Sequence, residues 1–318
     1  MNIIEKQWEL QKKKFEFMES DLVEKIENAY KTLKENDFTG VFLFEDEVYH
    51  NGIGVAKSQL DKIRKSPKRF YYDNYIAPDM TRTDPMKIGS LVHTAILEPG
   101  YLSKRFVSSK AMVDKIIEMR PDIKNPTATK EYKEAKKIIE EQGITVLSED
   151  VFNMAKEMTE SVFKHEKLQN ILKNGLAERC VYSIDPDTGL LVRCKPDYML
   201  LDSGINFDLK TTIDASPEEF GKSIWNYRYF VQAAYYNHIC TLACQVEFKQ
   251  FLFGCLEKTA PYDIAIYYAS QDVLAHGRAI MMEDLRTYKG CLESGIWHGY
   301  PRTINPIDMP AWAYYKGE

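Results

Sequence analysis

Residues Leu191 to Lys210 read LVRCKPDYMLLDSGINFDLK. The stretch divides into two short strands, one over Leu190 to Leu201 that carries Asp197 and one over Ile205 to Ile213 that carries Asp208 and Lys210. Between them Asp202-Ser203-Gly204 supplies turn residues that tolerate positive φ. Strand alternation places Asp208 and Lys210 on one face, because residues two apart point the same way. Asp197 on the neighbouring strand reaches the same spot. Two carboxylates on a half-buried sheet face are costly unless positive charge offsets them. A hard divalent cation does so, and Mg2+ commonly takes one or two carboxylates plus substrate phosphate oxygens. The Lys210 ammonium would then orient or activate a water and stabilise developing negative charge, which suits hydrolysis of a phosphodiester. An Asp-x-Lys triplet is equally a surface ion pair at a strand end, so on these residues alone both readings stay open.

Motifs on either side add to this. Lys195-Pro196-Asp197 followed by Asp208-Leu209-Lys210 resembles the PD-(D/E)xK nuclease signature, with Asp in the variable acidic position. Gly89-Ser90-Leu91-Val92-His93 with Leu97-Glu98-Pro99 is similar to the G-x-x-x-H…LEP segment of phage exonucleases of the exonuclease VIII (RecE) type. Gln232-Ala233-Ala234-Tyr235-Tyr236 is similar to the Q-x-x-x-Y motif of the RecB-like branch. Ser58-Gln59-Leu60, Ser66-Pro67 and Phe70-Tyr71-Tyr72 resemble the opening segment of the same family, and the likeness runs in order from Ser58 to Tyr268.

This resemblance to exonuclease VIII-like recombination nucleases, related to lambda exonuclease, carries several expectations. The fold would be α/β: a restriction-endonuclease-like core with a mixed central sheet, helices on both faces and helical elaborations. Asp197, Asp208, the Leu209 carbonyl and His93 would hold Mg2+ or Mn2+. Lys210 would position or deprotonate the water, and Gln232 and Tyr236 would orient substrate. The activity would be 5′-to-3′ digestion of linear duplex DNA, leaving 3′ single-stranded tails for annealing. A closed homo-oligomeric ring of three or four subunits, a single-strand annealing partner and a phage or prophage gene read in a bacterial cytoplasm belong to the same expectation. An endonuclease, or a catalytically inactive relative that holds DNA ends, is the alternative. A Cas4-like nuclease is disfavoured because its iron–sulfur cysteine set is missing.

The bulk composition allows this reading without announcing it. The chain has 318 residues, 44% of them hydrophobic, and a net charge of −5 from 42 basic and 47 acidic residues. That is not the strongly basic balance of a general nucleic-acid binder, although a local basic channel is compatible with it. No apolar run is long enough to span a membrane, and the N-terminus MNIIEKQWELQKKKFEF lacks the apolar core of a signal peptide. Six cysteines lack paired spacing and read as buried free thiols.

The expected layout is one domain: an N-terminal helical arm over 1–50, a nuclease core over 51–295 with a helical insertion at about 110–175, and an aromatic tail over 296–318. Residues 42–49 read as a short strand. Ser58 reads as the cap of one helix and Asp84 of another, with Pro85 at the first helical position. Arg64, Lys68 and Arg69, with Lys62 and Lys65, lie among aromatic residues, either as a DNA-facing patch or as a solvated face over core aromatics. Asn125-Pro126-Thr127 and Ser148-Glu149-Asp150 read as helix starts. Glu178, ahead of the signature strand, reads either as a further acidic ligand or, preferably, as an exposed strand-end charge. Trp297, Tyr300, Trp312, Tyr314 and Tyr315 are dense enough to dock on the fold or on a neighbouring subunit.

Overall fold

A computed structural model describes residues 1–78 and 84–309, the side chains of 84–86 excepted. Its strands are β1 (Gly40–Phe42), β2 (Phe106–Ser108), β3 (Thr145–Leu147), β4 (Leu176–Ala177), β5 (Cys180–Ile184), β6 (Leu191–Cys194), β7 (Tyr198–Leu200), β8 (Ile205–Thr212), β9 (Gln250–Glu257) and β10 (Ile264–Tyr268). The main sheet is five-stranded and mixed, in the order β10-β9-β8-β7-β4, with β8 and β9 parallel and the other neighbours antiparallel. A second sheet runs β1-β5-β6, and β2 and β3 form a small parallel pair.

The strand expected over Leu190 to Leu201 is therefore two strands in two sheets, β6 and β7, and Asp197 sits in the bend between them. Pro196 has no N–H to give a ladder, and the chain uses that break to change sheets. Beyond β7 the hairpin follows expectation. Gly204 takes the left-handed conformation at φ 61°, and a Cβ there would lie 2.2 Å from the Glu247 carbonyl oxygen, so glycine is required.

The N-terminal helices are α1 (Ile3–Lys12), α2 (Ser20–Glu35) and α3 (Asp46–Asn51). Residues 42–49, expected as one strand, thus give the end of β1 and most of α3. Two helices of the next segment are α4 (Lys57–Lys65) and α5 (Pro67–Tyr75). The cap of α4 is Ala56, whose N–H donates to Gln59 Oε1 at 2.9 Å, and Ser58 lies inside the helix. Pro67 opens α5 behind the Ser66 cap. Next come α6 (Asp84–Leu97) and α7 (Leu102–Arg105); the capping side chain expected from Asp84 lies outside the described residues. The 110–175 region holds α8 (Lys110–Met119), α9 (Lys130–Glu140), α10 (Glu149–Lys164) and α11 (Glu166–Ile171). There Asn125-Pro126-Thr127 leads into only a 3-10 turn, and Thr129 caps α9. The last helices are α12 (Pro217–Asn226), α13 (Tyr229–Cys244) and α14 (Gln271–Ser294).

Alternation along β8 and β9 sorts the two faces of the main sheet. Phe207, Leu209 and Leu256 pack with Leu91, Val92 and Ile96 of α6 and Met158 of α10. Phe251, Phe253 and Cys255 pack with Phe220 of α12 and Ala233 of α13. Helices thus cover both faces, and α13 is buried almost all round because α14 lies along its other side. Gly277 permits that approach: a Cβ there would sit 2.1 Å from the Phe230 carbonyl oxygen. The N-terminal helices are packed, not free. Gln7 on α1 exchanges two hydrogen bonds with the Leu191 backbone, at 2.8 and 3.0 Å, and Trp8 stacks on Tyr30 at 4.1 Å. Trp297 docks against Phe70, Tyr71 and Tyr288, whereas Tyr300 is exposed; Trp312, Tyr314 and Tyr315 lie outside the described residues.

The β5–β6 turn is tied to α13 by a buried polar network. Asp185 Oδ2 accepts from Thr188 N at 2.9 Å and from its hydroxyl at 2.5 Å, and Asp185 Oδ1 lies 2.9 Å from His238 Nε2. Burial pushes the Asp185 carboxyl up, but the His238 and Thr188 donors outweigh it and hold it below the usual range. Its contribution to stability is therefore full above the unfolded value of about 3.9 and is lost as pH falls through the lower folded value. Asp185→Ala is expected to cost about 1–3 kcal/mol at pH 7 and clearly less at pH 3, read by denaturant unfolding at both; an equal loss at both would contradict the assignment.

Candidate active site

The site forms where β8 ends beside the β6–β7 break. Asp208 and Lys210 leave β8 on the α13 face, as alternation requires, with Lys210 Nζ 2.5 Å from Asp208 Oδ2. Gln232, near the start of α13, bridges them: Nε2 donates to Asp208 Oδ1 at 2.5 Å and Oε1 accepts from Lys210 Nζ at 3.2 Å. Asp197 Oδ2 accepts the Leu209 N–H at 2.7 Å and lies 3.5 Å from His93 Nδ1. His93 comes from α6 on the opposite face of the sheet and lies beside the Leu209 main chain. Tyr236 is one turn beyond Gln232, set edge-on to Phe251 with ring centroids 6.1 Å apart.

Glu178 is not an exposed strand-end charge. The β4–β7 pairing sets Ala177 opposite Tyr198, and the Glu178 N–H donates to the Asp197 carbonyl at 3.1 Å. Glu178 adopts φ 53°, a conformation costly for a non-glycine residue. Its carboxylate meets Lys195 Nζ at 2.6 Å, and Lys195 also meets Asp46 of α3 at 2.6 Å. Arg105, paired with Glu98 at 2.5 Å, approaches the same Asp46 at 4.0 Å. No local pattern announces Glu178; only the pairing of a two-residue strand brings it in.

Burial and mutual charge shift the titration of the cluster. Burial, with the charges of Asp208 and Glu178, pushes the Asp197 carboxyl well above its ordinary range. Burial likewise raises Glu178 despite Lys195. Burial pulls His93 down to about 4 although Asp208 opposes this, so at neutral pH the imidazole is neutral and can donate a lone pair to a metal. Burial also pulls Lys210 down, but Asp208 and Asp197 outweigh it and hold it above the ordinary lysine value. Asp208 Oδ2, though close to Lys210, is buried without an aligned hydrogen bond.

Among the described residues, His93, Glu178 and Asp197 each offer a ligand atom within 4.8 Å of the others, which is the grouping a cation needs. Two carboxylates and a neutral imidazole fit a divalent ion of the Mg2+ or Mn2+ kind. Of the sequence-derived set of Asp197, Asp208, Leu209 and His93, this grouping contains Asp197 and His93, and Glu178 stands with them. Asp208 stands next to that group with its two oxygens turned to Gln232 and Lys210.

In the basic patch two cations are ion-paired, and both keep exposed side chains. Arg64 pairs with Glu283 of α14 at 2.7 Å, and Arg69 pairs with Asp73 at 2.8 Å. The Lys68 N–H donates to the His298 carbonyl at 3.0 Å. Phe70 is fully buried, as a core aromatic. The cation that does reach the site from this segment is one the sequence did not single out: Lys57, which bonds the Tyr227 carbonyl at 2.7 Å and Asp61 at 2.8 Å.

A mixed sheet covered on both faces, with Asp208 and Lys210 on β8, Asp197 in the bend before β7 and a bridging glutamine from the adjoining helix, defines a restriction-endonuclease-like domain of the PD-(D/E)xK superfamily. The chain belongs to the family described as PDDEXK-like domain of unknown function (DUF3799), matched over residues 56–307. A crystal structure of a protein from Eubacterium rectale, named "Putative exonuclease", aligns with a TM-score of 0.54 at 13% identity, covering 87% of this chain and 100% of its own. The structure of SSO0001 aligns with a TM-score of 0.27 at 16% identity, covering 66% of this chain and 95% of its own. No curated protein matches the sequence. Among the described residues no helix is long and apolar enough to cross a membrane.

Proposed function

We propose that this chain is a divalent-metal-dependent deoxyribonuclease that digests linear duplex DNA from its ends, 5′ to 3′. The observation that supports this best is the meeting of Asp197, Asp208 and Lys210 with His93 and Glu178 in one half-buried spot. Polarity, the preference for duplex ends and a role in recombination by annealing rest on the resemblance to exonuclease VIII-type enzymes. So do a closed homo-oligomeric ring and a single-strand annealing partner.

A cation held by His93, Glu178 and Asp197, with Asp208 alongside, would supply Lewis-acid stabilisation of phosphoryl charge and a more acidic water. The chain's own groups do the rest. Lys210, held protonated by its carboxylate neighbours, acts as a donor and fixed positive charge toward the attacked phosphate, not as a base. Gln232 fixes both Asp208 and Lys210, so neither must reorganise as charge develops. As the water oxygen bonds phosphorus, the bond to the leaving sugar oxygen breaks.

The test is digestion of linear duplex against a covalently closed circle of the same sequence, with Mg2+ and with EDTA, labelled at the 5′ or the 3′ end. Loss of the linear form alone, only with metal, with mononucleotides released from the 5′-labelled end, is expected. Cutting of the circle would indicate an endonuclease, and binding without cutting would indicate an end-holding module.

A further inference from the structure

Beyond Lys210 the end of β8 opens into a cleft of about 490 Å3 that none of the motifs accounts for. That volume is within the ~300–1,000 Å3 range of small-ligand pockets. One wall is aromatic. Tyr227 stacks on Tyr229 with centroids 5.5 Å apart and planes at 29°; Tyr229 stacks on Phe220 at 6.1 Å, and Phe220 on Tyr267 at 5.5 Å. The series ends in Tyr227, which is 62% exposed. The Tyr229 ring lies 4.5 Å from Lys210 Nζ, so the aromatic wall joins the catalytic lysine directly.

The wall is held by a strained residue. Arg228, between the two tyrosines, has φ 54° in the left-handed region. Its guanidinium is clamped by Asp61 of α4 at 2.8 Å and by Asp284 of α14. Strain of this kind persists only where the surroundings over-determine it, and it gathers at ligand sites. Here it turns Tyr227 and Tyr229 to the same cleft. Ser223, Lys258, Asp214 and Glu219 also line the cleft. Carboxylates in the lining oppose a second phosphate there but not a neutral base.

We propose that this cleft is a nucleotide subsite: it takes one unpaired nucleotide of the strand being cut, its base stacked on Tyr227 and its phosphate directed to Lys210. The assignment rests on the nuclease reading and adds that the terminal nucleotide is splayed from its partner before cleavage. A base withdrawn from a duplex loses stacking, and an aromatic face restores it.

The test uses full-length protein in EDTA and oligonucleotide duplexes carrying 2-aminopurine at the 5′-terminal or at an internal position. Stacking on Tyr227 should quench the terminal probe and leave the internal one unchanged. Tyr227→Ala should abolish that quench and weaken binding of the end by roughly tenfold, and Tyr227→Trp should restore both. Tyr227 is exposed, so its truncation spares the core. A terminal quench that survives in Tyr227→Ala would overturn the subsite. So would quenching confined to free 2-aminopurine deoxyriboside monophosphate, which would mark a product site. Because the readout needs no metal, it separates from the parent reading: lost quench with cleavage intact removes the subsite alone, and quench without any cleavage removes the nuclease assignment alone.

Discussion

Asp208→Asn is expected to lower the rate of DNA cleavage by roughly 10³-fold or more while the protein remains folded. Asp208 is almost fully buried, with Lys210 at 2.5 Å and Gln232 at 2.5 Å as its partners. The amide keeps the volume and one oxygen but removes the charge. Two consequences follow. The metal site beside Asp197 loses a neighbouring negative charge, and Lys210 loses the counter-ion that holds it protonated and in place. Asp208→Ala is the harsher change, because leaving a buried charge unpaired costs about 3–5 kcal/mol, so a dead alanine variant could reflect a damaged fold. The decisive comparison is initial rate on linear duplex with Mg2+, beside thermal unfolding of the same preparation. Activity within tenfold of the parent in the asparagine variant would remove Asp208 from the reaction.

Lys210→Met is expected to reduce turnover by roughly 10²–10³-fold, the scale of losing one preorganised donor, with metal affinity held or increased. The sign follows from the charges. The ammonium competes with a metal ion for the field of Asp208 and Asp197, which raise its pKa against the pull of burial. Once it is gone, the carboxylates attract a cation at least as well. Methionine fills similar space under Tyr229, whose ring centre is 4.5 Å from the ammonium. Calorimetric titration with Mn2+ and single-turnover cleavage separate the two quantities. A parallel fall in both would mean that Lys210 shapes the metal site instead of acting on the phosphate.

The periodicity of the chain already determined much of this. The two-residue spacing of Asp208 and Lys210 put them on one face, and the four-residue spacing of Gln232 and Tyr236 put those on one side of a helix. Asp202-Ser203-Gly204 marked the tight turn. These are local rules, obeyed by any segment with that pattern, and the fold class came from the family resemblance that the motifs carry. What local rules could not supply was the tertiary pairing. Pro196 breaks the signature strand, and only the assembled sheets show that the break carries Asp197 from one sheet to the other. Glu178 looked like a strand-end charge because the strand that pairs with β4 is more than 20 residues away in sequence, and β4 is two residues long. The ion pair of Arg64 was not legible because the carboxylates that engage it belong to α14, more than 200 residues on. Lys57 and the Tyr227–Tyr229 wall were silent for the same reason. Their meaning comes from which distant groups they face, and a charge or a ring acquires a role only once burial and neighbours set its field.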